Sequence, residues 1–229
     1  MSDSMKKLIG YFDFQCPYCY FGINYARKME SEFDFEIEWH PINIHPEIPE
    51  TGESLEKALP HVADPGLRIR NLRNLAEPIG LPVVDCRWIP STQKALEAME
   101  YARDCQKEHI FMPAVFNAYF GAGSDIGKEE NLIQLIEAIG LSGEELQKAW
   151  HEKRYKKRMN QYINDAQSIE LDVVPTLAKE KSKVLEATTT MTFQEYQEKN
   201  FEGFGIKWMA VAKKRESEVN FAWMVMAPV

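Results

Sequence analysis

Short apolar runs and stretches with helical periodicity alternate along the chain, and this pattern predicts the order of its elements. Residues 8–14 are almost all apolar, as expected of a strand that is covered on both faces. From Pro17 to about Phe33, apolar residues recur at steps of three and four, which predicts a helix that begins at the proline. Residues 35–44 predict a second strand. A strand, a helix and a strand at this spacing form a βαβ unit with parallel strands.

The middle of the chain is predicted to be helical. A capping box, SGEE at 142–145, is placed to satisfy the first backbone N–H groups of a helix, so we expect one helix from Ser142 towards Ser168. Four earlier helices are predicted from apolar residues with helical spacing. They cover residues 72–79, 92–105, 116–120 and 132–139.

Strand patterns return after these helices. VVPTL at 173–177 predicts a strand that contains a proline, and residues 183–190 predict its antiparallel partner. A helix is predicted over 193–199, and the last stretch, from about 204, predicts a hairpin with a charged tip at 214–218. The predicted order is therefore βαβ, then helices, then ββα and a hairpin-like tail.

Composition and charge narrow the class of protein. The chain has 229 residues, 45% of them hydrophobic, enough for one large domain or a domain with an insertion. Its net charge of −8 argues against nucleic acid as the main ligand, because phosphate binding needs concentrated Lys and Arg. The basic stretch 151–158 spreads its charges around a helix, which is typical of solvated surface. Asp13 interrupts the first apolar run and no run has membrane-spanning length, so we expect a cytoplasmic protein without a membrane partner.

The stretch FDFQCPYCYFG at 12–22 carries the candidate chemistry. Cys16 falls at the start of the predicted helix, where unpaired N–H groups and the helix dipole favour the reactive thiolate. Cys19 lies almost one turn further on, so its sulfur can reach that of Cys16. The pair can therefore undergo disulfide exchange, with Cys16 as the nucleophile and Cys19 as the resolving thiol. Pro17 and Tyr18 shape the turn that faces Cys16, and we expect both to contact the substrate.

Two other interpretations of the cysteine pair stay open. A zinc site needs four ligands, often two CxxC pairs, but the chain has no second pair, and Cys86 and Cys105 stand far apart. Cysteines with a purely structural role are the other alternative. We favour a redox pair over both and expect no bound metal.

Pro175 is a further candidate site residue. Proline removes a hydrogen-bond donor from a strand and is normally confined to sheet edges or bulges. One interpretation is an ordinary proline of an edge strand. The other is a cis proline beside the CxxC pair that presents the backbone of Val174 to a bound peptide, although the sequence does not fix the isomer.

These motifs together resemble the DsbA-like thioredoxin family, and within it the FrnE-like branch. The matching stretches appear in the family's order and cover roughly residues 7–178. They are FDFQCPYCYFG, EWHPINIHPEIPETG, IPSTQKALEAMEYARD, FNAYFGAGSDIG with NLIQLIEAIGL, and VVPT. The resemblance implies an α/β thioredoxin fold (βαβ–ββα) with a helical domain inserted after the βαβ unit, plus a C-terminal hairpin-like extension. The implied boundaries are 1–50 and 170–229 for the thioredoxin-like domain and 51–169 for the helical domain.

The same resemblance assigns roles to single residues. Cys16 and Cys19 match the active-site pair, and Pro175 matches the cis proline. Asp13 matches an acid that is common in the family. It is interpreted as a proton relay, as a like charge that raises the thiol pKa, or as a carboxylate that only meets water or nearby backbone N–H groups.

Three functions compete at this point. The first is a thiol-disulfide oxidoreductase for protein or small-thiol disulfides, without a bound cofactor but with glutathione as a candidate co-substrate. The second is a glutathione-dependent isomerase or transferase of the same interrupted fold, although those enzymes typically carry Ser at the position of Cys16. The third is a redox-insensitive binding or chaperone module that uses the hairpin at 204–229, whose apolar residues we expect to cover the core rather than an oligomer partner. Monomer and homodimer are both compatible with the sequence, and it does not fix the direction of electron flow.

Overall fold

The βαβ unit predicted from the hydrophobic pattern begins the fold. Strand β1 (Lys6–Phe12) and strand β2 (Phe35–Pro41) pair in parallel, with Leu8 opposite Ile37. Helix α1 (Pro17–Glu32) connects them. The structure, a computed structural model, describes residues 6–32, 35–60, 62–171, 173–179, 206–215 and 218–228.

The segment that follows β2 is mostly helical, as predicted. It contains one short antiparallel ribbon of strands β3 (Glu53–Ser54) and β4 (Trp88–Ile89). No helix in the described part of the chain has both the length and the apolar character needed to cross a membrane. The helices of the segment that follows β2 are α2 (Leu55–Ala58), α3 (Pro65–Ala76), α4 (Gln93–Asp104), α5 (Glu108–Phe116), α6 (Glu129–Ala138), α7 (Gly143–His151) and α8 (Lys156–Ser168), with a 3₁₀ turn at Glu77–Ile79 and a π-helical turn at Asn117–Gly121.

The single helix predicted over 142–168 is wrong, because α7 and α8 are separate. Ser142 caps α7 as the capping box predicts, since its hydroxyl accepts the N–H of Glu145 at 3.2 Å. The helix ends at His151, and Lys153 then adopts a left-handed φ of 51° that turns the chain. Neither glycine nor proline marks this break in the sequence, so helical periodicity alone does not reveal it.

The remaining strands complete a five-stranded sheet. Strand β5 (Thr176–Lys179) lies antiparallel to β1, on the side away from β2. Strands β6 (Ile206–Arg215) and β7 (Glu218–Pro228) form the predicted hairpin, and β7 pairs antiparallel with β5. The order across the sheet is β2-β1-β5-β7-β6.

One predicted strand pairing is wrong. Because β5 is bordered by β1 and β7, residues 183–190 cannot be its antiparallel neighbour in this sheet. Residues 183–190 and the helix predicted over 193–199 lie outside the described residues. The expectation that the hairpin covers the core concerns side chains that are also outside the described part.

The larger of the apolar clusters in the described chain connects the βαβ unit with the helical segment. Phe14, just after β1, packs against Phe116 of α5, with ring centroids 4.9 Å apart. Tyr20 of α1 stacks on Phe120, with centroids 5.3 Å apart and planes 13° from parallel. These contacts hold the end of β1 and the start of α1 in place. The domain boundaries given above stay a prediction.

Candidate active site

Cys16 lies at the N-cap of α1. Its carbonyl accepts the N–H groups of Cys19 at 3.1 Å and of Tyr20 at 3.2 Å, which is the bonding pattern of a residue that caps a helix. Pro17 is the first helical residue, a position where an N–H would have no partner within the helix. The predicted placement of Cys16 at the start of a helix is therefore confirmed.

The two thiols of the CPYC motif differ in burial and in protonation. Cys16 is 7% exposed, whereas Cys19 is completely buried. Burial, together with a hydrogen bond to Cys16, raises the pKa of the Cys19 thiol well above its usual value. Cys19 therefore holds its proton at neutral pH. Cys16 is the thiol that an incoming disulfide can reach.

The loop before β5 completes the surroundings of Cys16. The Cys16 thiol donates a hydrogen bond to the carbonyl oxygen of Val174, with a sulfur-to-oxygen distance of 3.3 Å. The Val174–Pro175 peptide bond is cis, and both residues are buried. The structure thus brings together Cys16, Cys19 and Val174, with Pro175 beside them. In the sequence, 158 positions separate Cys16 from Val174.

Tyr18 stands next to the pair, and Arg68, which the sequence pattern does not single out, lies near it. Tyr18 is half-buried against the core, and burial, followed by the nearby Cys16, raises the pKa of its hydroxyl. Arg68 of α3 acts in the opposite direction and lowers that pKa. In the described part of the chain, Arg68 has no carboxylate within ion-pair distance. Nothing in the local sequence distinguishes it from other basic residues on an exposed helix face.

Asp13 lies buried directly behind the cysteines. Its carboxylate accepts the N–H groups of Gln15 at 3.1 Å and of Ile44 at 2.8 Å, which ties the end of β1 to the segment after β2. Burial raises the pKa of this carboxyl, although both hydrogen bonds act to lower it. Its charge in turn contributes to the raised pKa of Cys19. Contact with nearby backbone N–H groups and a like charge that raises a thiol pKa therefore both agree with the structure, and the proton relay stays a prediction.

The other two cysteines lie away from this pair. Cys86 is buried, its thiol donates a hydrogen bond to the carbonyl of Tyr119 at 3.4 Å, and burial raises its pKa to about 11. Cys105 is partly buried at the C-cap of α4. Over the ranges that the structure describes, no cluster of three or more His, Cys, Asp or Glu side chains could hold a metal ion.

The geometry of this site agrees with the family that the sequence matches. The family of DSBA-like thioredoxin domains matches residues 7–197, so the chain belongs to that family. Its class is therefore that of the DsbA-like disulfide oxidoreductases. The finer assignment to the FrnE-like branch stays a prediction.

The chain is also similar to individual proteins and solved structures. The chain is 27% identical over 172 residues to the uncharacterized protein YwbO of Bacillus subtilis (strain 168), a match that covers 72% of this chain and 82% of YwbO. Its fold is similar to that of the probable DsbA oxidoreductase SCO1869 of Streptomyces coelicolor, with a TM-score of 0.66 and 18% identity over 75% of this chain and 79% of that one. It is also similar to the cytosolic disulfide reductase DsbM of Pseudomonas aeruginosa, with a TM-score of 0.60 and 15% identity over 77% and 85% of the two chains. DsbM has also been solved with GSH.

Proposed function

We propose that this protein catalyses thiol-disulfide exchange, with Cys16 as the nucleophile and Cys19 as the resolving thiol. The observation that carries the proposal is the position of the Cys16 sulfur. Cys16 is the N-cap residue of α1, and its sulfur hydrogen-bonds to the buried Cys19 and lies 3.3 Å from the Val174 carbonyl oxygen. The thiolate is the form of a cysteine that attacks a disulfide.

In the reducing direction, two successive exchanges transfer two electrons to the substrate. The Cys16 thiolate attacks one sulfur of the substrate disulfide, that disulfide breaks, and a mixed disulfide forms while the first substrate thiolate leaves and takes up a proton. Cys19 then loses its proton and attacks the Cys16 sulfur, which releases the second substrate thiol and leaves a Cys16–Cys19 disulfide. Two thiols such as glutathione would reduce the enzyme again, with formation of their own disulfide. The same steps in reverse oxidise a substrate dithiol.

The remaining site residues are proposed to bind the substrate around the reacting sulfur. Val174 would offer its backbone to the substrate. Pro175 and Pro17 would line the site, and Tyr18 would lie at its border, at the start of α1. The partners are disulfide-containing proteins or small thiols, and the proposed compartment is the cytoplasm, the one in which dithiols stay reduced.

A glutathione-dependent isomerase is the competing function. In such an enzyme the residue at position 16 would activate a bound glutathione without changing its own oxidation state. A cysteine at that position, hydrogen-bonded to a second cysteine, favours exchange instead. Glutathione bound with no change in the thiol count would support the isomerase.

The decisive measurement is disulfide reduction by the thiol-reduced protein, followed with insulin and with a glutathione mixed disulfide as substrates. The wild type and Cys105→Ser should both be active, whereas Cys16→Ser should be inactive. If Cys16→Ser kept full activity in both reactions, the proposed function would be wrong.

A further inference from the structure

Helix α8 leads directly into the loop that contacts the nucleophile. Its C-terminal end is closed by a hydrogen bond from the N–H of Leu171 to the carbonyl oxygen of Ala166 at 3.0 Å, and Glu170 takes a left-handed φ of 53° there. Two residues of sequence separate Leu171 from Val174, whose carbonyl oxygen accepts the Cys16 thiol at 3.3 Å. The position of α8 therefore constrains the position of the Val174 carbonyl.

His40 of β2 joins this helix to the sheet. Its imidazole stacks on the ring of Tyr162 in α8, with ring centroids 3.9 Å apart and planes 22° from parallel. Both residues are buried, with exposures of 6% for His40 and 7% for Tyr162. Tyr11 of β1 meets the same imidazole nearly at a right angle, with centroids 5.6 Å apart. The imidazole thus contacts a ring of the sheet and a ring of α8.

The two ring nitrogens of His40 have different surroundings. Nε2 lies 3.0 Å from Oε1 of Glu38, a neighbour on the same strand. Since a carboxylate only accepts hydrogen bonds, Nε2 carries the proton and donates it. Nδ1 is buried, and no residue in the described ranges offers it a hydrogen-bond partner. A proton added to Nδ1 therefore creates a buried N–H without a protein acceptor, which opposes protonation of the packed ring.

Charged groups on β2 and α4 act on the imidazole in both directions. On β2, the carboxylate of Glu38 favours a positive charge on the ring. On α4, the guanidinium of Arg103 donates to the carbonyl oxygen of Trp39, the residue before His40, and opposes a positive charge. Glu100, also on α4, favours one, but its carboxylate already accepts a hydrogen bond from Arg103 at 3.1 Å.

The groups that face the imidazole from α8 and β1 do not supply the missing acceptor. Tyr162 donates its hydroxyl to Glu100 at 3.1 Å, and Arg158 of α8 pairs with the same carboxylate at 3.0 Å. The Tyr162 ring face attracts a cation, but it leaves the added N–H without an acceptor. On β1, burial and the charge of Asp165 raise the pKa of Tyr11 to about 12, so its hydroxyl stays neutral.

Burial has the largest effect on the protonation of His40. It lowers the pKa of the imidazole below its usual value of 6.5, although the hydrogen bond to Glu38 acts to raise it. The unfolded chain therefore binds this proton at a higher pH than the native protein does. The contribution of His40 to stability is complete above pH 6.5 and is lost as the pH falls towards the native pKa.

We infer that neutral His40 holds α8 against the sheet and so positions the Val174 carbonyl beside Cys16. Protonation of His40 loosens α8 and withdraws that carbonyl from the nucleophile. His40 is thus a positioning residue for disulfide exchange, and the inference rests on the proposed function. Acid should reduce the activity through His40 in addition to its effect on the thiolate of Cys16.

The first test is an NMR titration of the full chain from about pH 4.5 to pH 8. The His40 imidazole should titrate below pH 6.5, and the amide signal of Val174 should change with the same midpoint. In Tyr162→Leu, which removes the stacked ring from α8, His40 should titrate closer to 6.5 and the Val174 signal should no longer follow it. A wild-type His40 midpoint at or above 6.5, or a Val174 signal that does not follow it, would overturn the inference.

The second test is the rate constant with which the thiol-reduced protein reduces a fluorescent peptide disulfide over the same pH range. His40→Phe keeps a ring against Tyr162 but cannot take up a proton, and His109→Phe makes the same change at an exposed histidine of α5. The wild-type rate relative to His40→Phe should be constant above pH 7. It should fall about twofold at the His40 midpoint and about tenfold one pH unit lower, in proportion to the neutral fraction of the imidazole. His109→Phe should follow the wild type throughout.

The outcomes separate this inference from the proposed function. A constant ratio between the wild type and His40→Phe at every pH would overturn the positioning role and leave the exchange activity intact. If His40→Phe does not fold, the Val174 signal in the wild type and in Tyr162→Leu decides the question. Failure of the wild type to reduce the peptide at any pH would instead contradict the proposed function.

Discussion

The sulfur of Cys16 lies 3.3 Å from the carbonyl oxygen of Val174, across a separation of 158 positions in the chain. This contact joins the start of α1 to the loop before β5. Both segments are anchored in the sheet, because α1 follows β1 and β5 pairs with β1. The surroundings of the nucleophile thus depend on the pairing of two sheet strands rather than on the CPYC stretch alone.

The two active-site cysteines should give different defects when they are replaced. Cys16→Ser removes the nucleophile, so reduction of a protein disulfide should fall by at least about 10³-fold. Cys19→Ser leaves the nucleophile but removes the resolving thiol, so a mixed disulfide with the substrate should accumulate. Mass spectrometry without reductant detects that adduct, and Cys86→Ser serves as a control for the loss of a buried thiol elsewhere. An adduct on Cys16→Ser instead would reverse the assigned roles.

The resolving step should accelerate as the pH rises. Burial raises the pKa of Cys19 well above its usual value, so below that pKa only a small fraction is thiolate, and this fraction increases about tenfold per pH unit. A protein that carries glutathione on Cys16 should therefore release it faster at pH 8.5 than at pH 6.5 by one to two orders of magnitude, an estimate from the thiolate fraction. Stopped-flow measurement of glutathione release gives the rate. A rate that does not change between these pH values would show that Cys19 is not the attacking thiol.

Asp13 should make the protein less stable as the pH rises. Its native pKa is raised by burial above the value in the unfolded chain, so the native state binds more protons between the two pKa values. The free energy of unfolding should then fall as the pH rises through that interval, by at most about 1.4 kcal/mol per pH unit. Asp13→Asn removes this titration and keeps one oxygen acceptor. Urea unfolding of both proteins from pH 4 to pH 8 gives the difference, and a difference that is constant with pH would contradict the expectation.

Glu100 should be the most costly carboxylate to neutralise in the helical segment. It is fully buried and accepts hydrogen bonds from Arg103 at 3.1 Å, Arg158 at 3.0 Å and Tyr162 at 3.1 Å. Glu100→Gln leaves these donors without their charged partner and should lower the free energy of unfolding by about 3 kcal/mol.

The matched control for Glu100 is an exposed carboxylate with a similar partner. Glu152 pairs with Arg154 at 3.0 Å but is 46% exposed, so Glu152→Gln should change the free energy of unfolding by less than about 1 kcal/mol. Both variants are compared in urea at neutral pH. Equal effects would mean that burial does not determine the contribution of these ion pairs.

Local patterns in the sequence predicted the elements that depend on local physics. Pro17 begins α1, because a proline at the first helical position lacks an N–H that would have no partner there. Ser142 caps α7, because its hydroxyl accepts an N–H group of the first turn. Neither effect depends on distant contacts. The break between α7 and α8 escaped prediction, because Lys153 takes a left-handed conformation that its residue type does not favour. The neighbour of β5 also escaped it, since strand pairing is decided across the sheet and β7 lies about 40 residues further along the chain.

The candidate site also combines features that the local sequence predicts with features that depend on distant residues. Cys16 and Cys19 could be found because their spacing and their place at a strand-to-helix junction are local features. The burial that separates their roles comes from residues elsewhere in the chain, and the same is true of the burial of Cys86.

The separation between Cys16 and Val174 also affects the cysteine pair while the ribosome synthesises the chain. At about 5 to 20 residues per second, a ribosome needs roughly 8 to 30 s to extend the chain over the 158 positions from Cys16 to Val174. Throughout that interval the nascent chain carries both thiols without the loop that later encloses them. The cysteine pair of the nascent chain is therefore accessible to oxidants and to the thiols of other molecules until the last strands of the sheet leave the ribosome and pair.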